Sequence, residues 1–180
     1  MSRILVAGIG NLFLGDDAFG IEVVQRMRGR SERRDVRIQD FGICGIDLTY
    51  ALLEDIALAI LVDATRRGGA PGSLYLLDAS SSLQADEAPA SGRSESPSLL
   101  LSPHEMQPDK VLQTVGMLGG TCRRVLLVGC EPESFGTEFE QEGRIGLSAT
   151  VAASVEQAIT LIESLLDAAA KDQTERLVMT

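Results

Sequence analysis

The stretch ILVAGIGNLFLGDDAFG, residues 4–20, carries most of the information about the fold. An apolar run, Ile4 to Ala7, meets a glycine-rich turn and then a helical pattern in which Ala18, Ile21, Val24 and Met27 recur at three-residue spacing, with Gly29 as the stop. A buried strand that turns through glycines into a helix is the opening of an α/β sheet. A dinucleotide fingerprint would need glycine at the third position of G-x-G-x-x-G, but Phe13 stands there. Asp16 and Asp17 would repel a pyrophosphate, whereas carboxylates suit a helix N-terminus, so Asp16 reads as a helix cap.

The same alternation continues along the chain. Strands are expected at 35–41, 58–64 (LAILVDA), 73–78 (SLYLLD) and 123–129 (RRVLLVG), and helices at 46–55, 108–118 and from Ser148 to about Ala170. Together they predict a single α/β domain over residues 1–170, with a twisted, mostly parallel five-stranded sheet between helices. Residues 79–100, rich in Ser, Ala, Glu and Pro and without a period, read as a flexible insertion, and 171–180 as a frayed tail.

Composition narrows the classes of function. The 180 residues are 44% hydrophobic and 23% charged, which is ordinary globular usage with room for a core. A net charge of −10 argues against non-specific binding to nucleic acid or anionic lipid. Arg26, Arg28, Arg30, Arg33 and Arg34 read as solvation of a helix end. Three cysteines and no signal peptide fit a reducing cytoplasm. No apolar run reads as the roughly 18–20 residues a membrane span requires. Phe13 and Phe19 are expected to pack the first loop and helix onto the sheet, and the carboxylates at 131, 133, 138, 140 and 142 to form a solvated loop.

Open α/β sheets bind ligands at the carboxyl ends of their strands, and three groups fall there. Asp17 follows strand 1, Asp63 ends strand 3, and His104, the one histidine, lies in the loop LSPHEMQPD before a helix. Each alone is ordinary. Together, two carboxylates and an imidazole can share a divalent transition metal and leave coordination positions open to a substrate. Cys44, in a glycine-rich turn, offers a different chemistry, a thiolate nucleophile with His104 as its base.

At these residues the sequence resembles the hydrogenase maturation proteases, endopeptidases that process the large subunit of [NiFe] hydrogenases. The likeness rests on ILVAGIGNLFLGDDAFG, on LVDA at 61–64, on SPHEM at 102–106, and on VGCEPES followed by GLSATV within 128–151. It implies a metal site made by Asp17, Asp63 and His104, used to recognise nickel already held by cysteines of the immature large subunit. A C-terminal extension of that precursor would then be removed. It also implies substrate contacts from the turn after strand 2, here Asp40-Phe41-Gly42-Ile43-Cys44-Gly45, in which Asp40, Gly42 and Gly45 match the family and the intervening residues do not. The nickel would come with the precursor, leaving the resting site largely empty. The protein is expected to act as a cytoplasmic monomer with no nucleic-acid or membrane partner. Whether Asp17 or Asp63 serves as ligand or as base stays open, as does a non-catalytic, metal-reading chaperone.

Overall fold

A computed structural model describes residues 3–30, 33–83, 107–135 and 145–178. Five strands form one sheet: β1 (Arg3–Ile9), β2 (Val36–Gly42), β3 (Ile56–Ala64), β4 (Leu74–Asp78) and β5 (Arg124–Cys130). Their order is β2-β1-β3-β5-β4. The first four in that order are parallel, and β4 pairs with β5 antiparallel at the edge. The connection from β3 to β4 is too short for the crossover helix a parallel return needs, so β4 runs the other way.

Helices cover both faces. α1 (Phe19–Arg28) and α4 (Ala149–Val178) lie on one side, where Val6, Ile60, Val62 and Val128 meet Phe19, Val24, Val155 and Ile162. α2 (Gly45–Leu53) and α3 (Pro108–Met117) lie on the other, where Leu5, Ala59, Leu61 and Val125 meet Leu48, Leu52, Leu112 and Val115. Successive strand residues enter alternate cores, which accounts for strands that are apolar on both faces.

Four expectations change in this frame. α4 extends to Val178 rather than ending near 170, because Lys171 to Val178 contains no Gly or Pro to stop it. Residues 149–172 are long and apolar enough to meet the length of a membrane span. However, Val151, Val155, Ala158, Ile159, Ile162 and Leu166 are buried in the core as one stripe. The segment from 79 begins in an anchored form: Ser80–Leu83 is a 3-10 turn, the Ala79 amide donates to the Val125 carbonyl, and Leu83 packs on the α2–α3 core. Residues 84–100 lie outside the described residues. Three of the arginines expected only to solvate a helix end also have partners: Arg26, in the last turn of α1, and Arg30 pair with Glu156 of α4, and Arg33 pairs with Asp167. Such exposed pairs add little stability singly, but here they join two helices.

The chain passes from β1 outward to β2 and then crosses back to β3 on the other side of β1. The β1/β3 boundary is therefore the topological switch point, where the outgoing connections diverge and leave a crevice.

Candidate functional site

Asp17 and Asp63 stand on either side of that crevice. After β1 the chain makes a 3-10 turn, Gly15–Ala18, which packs against β3 before α1 begins. Two glycines make this approach possible. A Cβ at Gly10, whose φ is +137°, would overlap the Asp17 carbonyl oxygen. A Cβ at Gly20 would overlap the carbonyls of Val62 and Ile9. The first glycines thus serve close packing of the turn and α1 on β1 and β3, with protein atoms where a phosphate loop would leave room.

Asp17 is part-buried, and its Oδ2 accepts a hydrogen bond of 2.8 Å from the Asn11 amide. Burial raises its carboxyl above the ordinary range, and that hydrogen bond only partly offsets the rise. Asp63, on the α2–α3 side of β3, is pushed up to about 7, mainly by burial and further by the negative charge of Asp17, with the Ala64 amide opposing. Two carboxylates that disfavour each other's ionisation form a site that a cation would relieve. Gly129 pairs with Asp63 across the β3–β5 ladder, and the space a side chain would take there is filled by Thr65. Thr65 leans over Gly129, and its Oγ1 is buried without a hydrogen-bond partner, the one such side-chain atom among the described residues.

Asp16 has a different task. It does not cap its own helix; α1 has no side-chain cap. Only 1% exposed, it reaches across the edge to accept from the Ser148 amide at 2.6 Å, the Ser148 hydroxyl at 3.1 Å, and the amides of Glu133 at 2.9 Å and Ser134 at 3.0 Å. Burial alone would raise its carboxyl, but these donors outweigh it and hold Asp16 below the usual range. The Ser148 hydroxyl in turn accepts from Val151 in the first turn of α4. One carboxylate thereby ties the β1 loop to the β5 loop and to the start of α4.

Glu131 is the matching clamp. Rather than lying in solvent, it is buried and accepts from the amides of Arg67 at 2.7 Å and Gly68 at 3.1 Å and from the Tyr75 hydroxyl at 2.8 Å. It fixes the loop that leaves Asp63. Arg66 of that loop lies 4.5 Å over the Phe135 ring. Glu133 is exposed as expected, while 138, 140 and 142 lie outside the described residues.

The turn after β2 joins the same edge. Gly42, with φ +53°, accepts from the Gly10 amide through its carbonyl, and its own amide donates to Asp40 Oδ1 at 2.9 Å. Asp40 Oδ2 accepts from Gln25 of α1. Gly45 opens α2. Asp40 and Gly42 thus hold the shape of a turn that abuts the Asp17 loop. The Cys44 thiol has no hydrogen-bond partner among the described residues. Phe19 is fully buried as expected, but Phe13 is 65% exposed. His104 lies outside the described residues, so the structure brings together two of the three expected ligands and does not address the third. Among the described residues no three metal-ligating side chains converge.

The profile of the hydrogenase maturation protease family matches residues 21–165. The chain belongs to that family. The hydrogenase 2 maturation protease of Escherichia coli K12 is 31% identical over 165 residues, covering 91% of this chain and 90% of that protein. The hydrogenase maturating endopeptidase HybD of E. coli superposes with a TM-score of 0.68 at 28% identity, covering 93% of each chain. The hydrogenase 2 maturation peptidase of a Thaumarchaeota archaeon gives 0.65 at 27% identity, over 92% of this chain and 99% of that one. This chain is a hydrogenase maturation protease with the family's five-stranded α/β fold.

Proposed function

We propose that this endopeptidase removes a C-terminal extension from a nickel-loaded [NiFe] hydrogenase large-subunit precursor, and that it reads the nickel through Asp17, Asp63 and His104. The observation that carries the reading is the carboxylate pair, Asp17 and Asp63, facing across the switch point of a family-typical sheet, each held above its ordinary protonation range.

In this reading nickel is cargo of the substrate, already held by precursor thiolates. Asp17 and Asp63 supply oxygen ligands and His104 a nitrogen ligand to positions the thiolates leave open. Burial of two like charges is costly until a dication arrives between them, so docking is coupled to metal loading. Alone, three such ligands hold an ion weakly, and the resting protein is proposed to be largely metal-free; tightly bound stoichiometric zinc after dialysis would contradict this. A cation held by Asp17, Asp63 and His104 together with the precursor thiolates would supply Lewis-acid chemistry toward the scissile carbonyl or a water. The raised Asp63 carboxyl supports a second role in the metal-free state, that of a proton acceptor, as the alternative to its role as ligand. Three free thiols support action in the cytoplasm.

The test is intact-mass analysis of large-subunit precursors, nickel-loaded and nickel-free, after incubation with the protein. Loss of a C-terminal fragment from the loaded form alone is expected. Equal cleavage of both forms, or of neither, would overturn the nickel-reading proposal.

A further inference from the structure

Among the described residues eight large apolar side chains are exposed, and four of them stand on loops of the one edge that carries Asp17 and Asp63. Leu12 (44% exposed) and Phe13 (65%) follow β1, Ile43 (40%) follows β2, and Ile145 (79%) precedes α4. The other four are dispersed: Tyr50 on α2, Leu76 on β4, and Met117 and Leu118 at the end of α3.

The outward placement of Phe13 is built in. Asn11 donates its amide to Asp17 Oδ2, and its side-chain Oδ1 accepts the Phe13 amide at 3.0 Å. The turn that positions the Asp17 carboxylate therefore also turns Phe13 toward solvent. The Gly10 amide to Gly42 carbonyl bond sets Ile43 beside this turn. Asp16 ties it to Ser148, three residues after Ile145. Three loops that carry apolar tips are thus locked to one another by buried hydrogen bonds and do not depend on the tips themselves for their shape.

We propose that Leu12, Phe13, Ile43 and Ile145 form a rigid apolar collar around the carboxylate pair, and that the nickel-bearing segment of the precursor seats on it. The inference rests on the proteolytic reading above and adds the surface that captures the substrate. Charge decides the occupant. A negative pair ringed by apolar side chains matches a segment with a cationic centre and apolar flanks. A second copy of this chain would set one carboxylate pair against another, between molecules that each carry a net charge of −10. A seated segment would also exclude water from the carboxylates and strengthen their hold on the cation.

The experiment measures steady-state cleavage of purified nickel-loaded precursor by wild type, Phe13→Ser, Ile43→Ser, Phe13→Leu and the off-edge control Leu76→Ser, with thermal midpoints and solution mass for each. Loss of one buried aromatic or branched contact is expected to raise KM about tenfold or more, with kcat within about twofold. Phe13→Leu should recover most of the loss, Leu76→Ser should behave as wild type, and midpoints should be unchanged, since exposed side chains support no core. Unchanged KM in both serine variants, with wild type active, overturns the collar and leaves the proteolytic reading intact. A dimer that Phe13→Ser dissociates assigns the face to a second copy and also overturns it. Failure of wild type to cleave any nickel-loaded precursor overturns the proteolytic reading itself, and the collar with it.

Discussion

Asp16 and Asp17 are neighbours in sequence, yet their carboxyl groups are held on opposite sides of the ordinary range. Asp16 lies below it, because donors from Glu133, Ser134 and Ser148 outweigh its burial, and Asp17 lies above it, because burial outweighs the single Asn11 amide. The 3-10 turn points one carboxylate into the scaffold and the other into the crevice. The first ties three segments of the scaffold together, and the second is the one proposed to meet the substrate's metal.

Asp16→Ala should therefore cost stability first and activity only through it. It strands the buried amide and hydroxyl of Ser148 and the part-buried amides of Glu133 and Ser134, and a loss of about 2 kcal/mol is expected from urea unfolding. The effect should depend on pH. Asp16 is depressed in the folded state, so its contribution is present above the unfolded carboxylate pKa and lost as pH falls through the lower folded value.

Asp63 works with the opposite sign. Its folded pKa is raised to about 7, so the fold is favoured most below the unfolded value near 3.8 and loses that advantage as pH rises through about 7. Asp63→Asn should match wild type in stability at pH 4 and exceed it at pH 8, by on the order of 2 kcal/mol, while losing activity. Asp17→Asn should lower the Asp63 titration, because it removes the neighbouring charge. Stability measured from pH 4 to 9 and carboxyl carbon shifts in NMR check both statements.

Thr65→Val should stabilise the protein. Valine keeps the branched shape and removes a buried hydroxyl that has no partner, a gain of about 1 kcal/mol by chemical denaturation. Destabilisation would mean that the hydroxyl is satisfied in solution.

Glu131→Gln should loosen the loop that leaves β3. The clearest readout is hydrogen exchange at the Arg67 and Gly68 amides, which donate to this carboxylate. Their exchange should accelerate while amides in the centre of β3 stay protected.

The sheet was legible because its signals are local. Each expected strand lies within two residues of the observed one, since runs such as LAILVDA are apolar on both faces wherever they sit in a parallel sheet. Asp17 and Asp63 could be placed together because the carboxyl ends of parallel strands share one edge. The two clamps could not. Asp16 meets Ser148 across 132 residues and Glu131 meets Arg67 across 64, and no local pattern encodes either contact. Asp16 carries the ordinary signature of a helix cap, and Glu131 that of an acidic surface loop. Phe13 departs from its expected packing for a related reason: its outward turn goes with the Asn11 side chain, which accepts the Phe13 amide, rather than with hydrophobicity. The end of α4 needed only the absence of a breaker after Lys171, a signal that was present.

The central claim is that Asp17, Asp63 and His104 act together on a nickel-loaded precursor, and the most direct measurement is the binding and cleavage of that precursor by wild type, Asp17→Asn, Asp63→Asn and His104→Ala at one neutral pH. Each substitution should abolish detectable loss of the C-terminal fragment and reduce affinity for the loaded precursor by about tenfold or more, with little effect on the weak affinity for the nickel-free form. Cleavage at the wild-type rate by any of the three, or equal loss of affinity for loaded and nickel-free precursors, would contradict it.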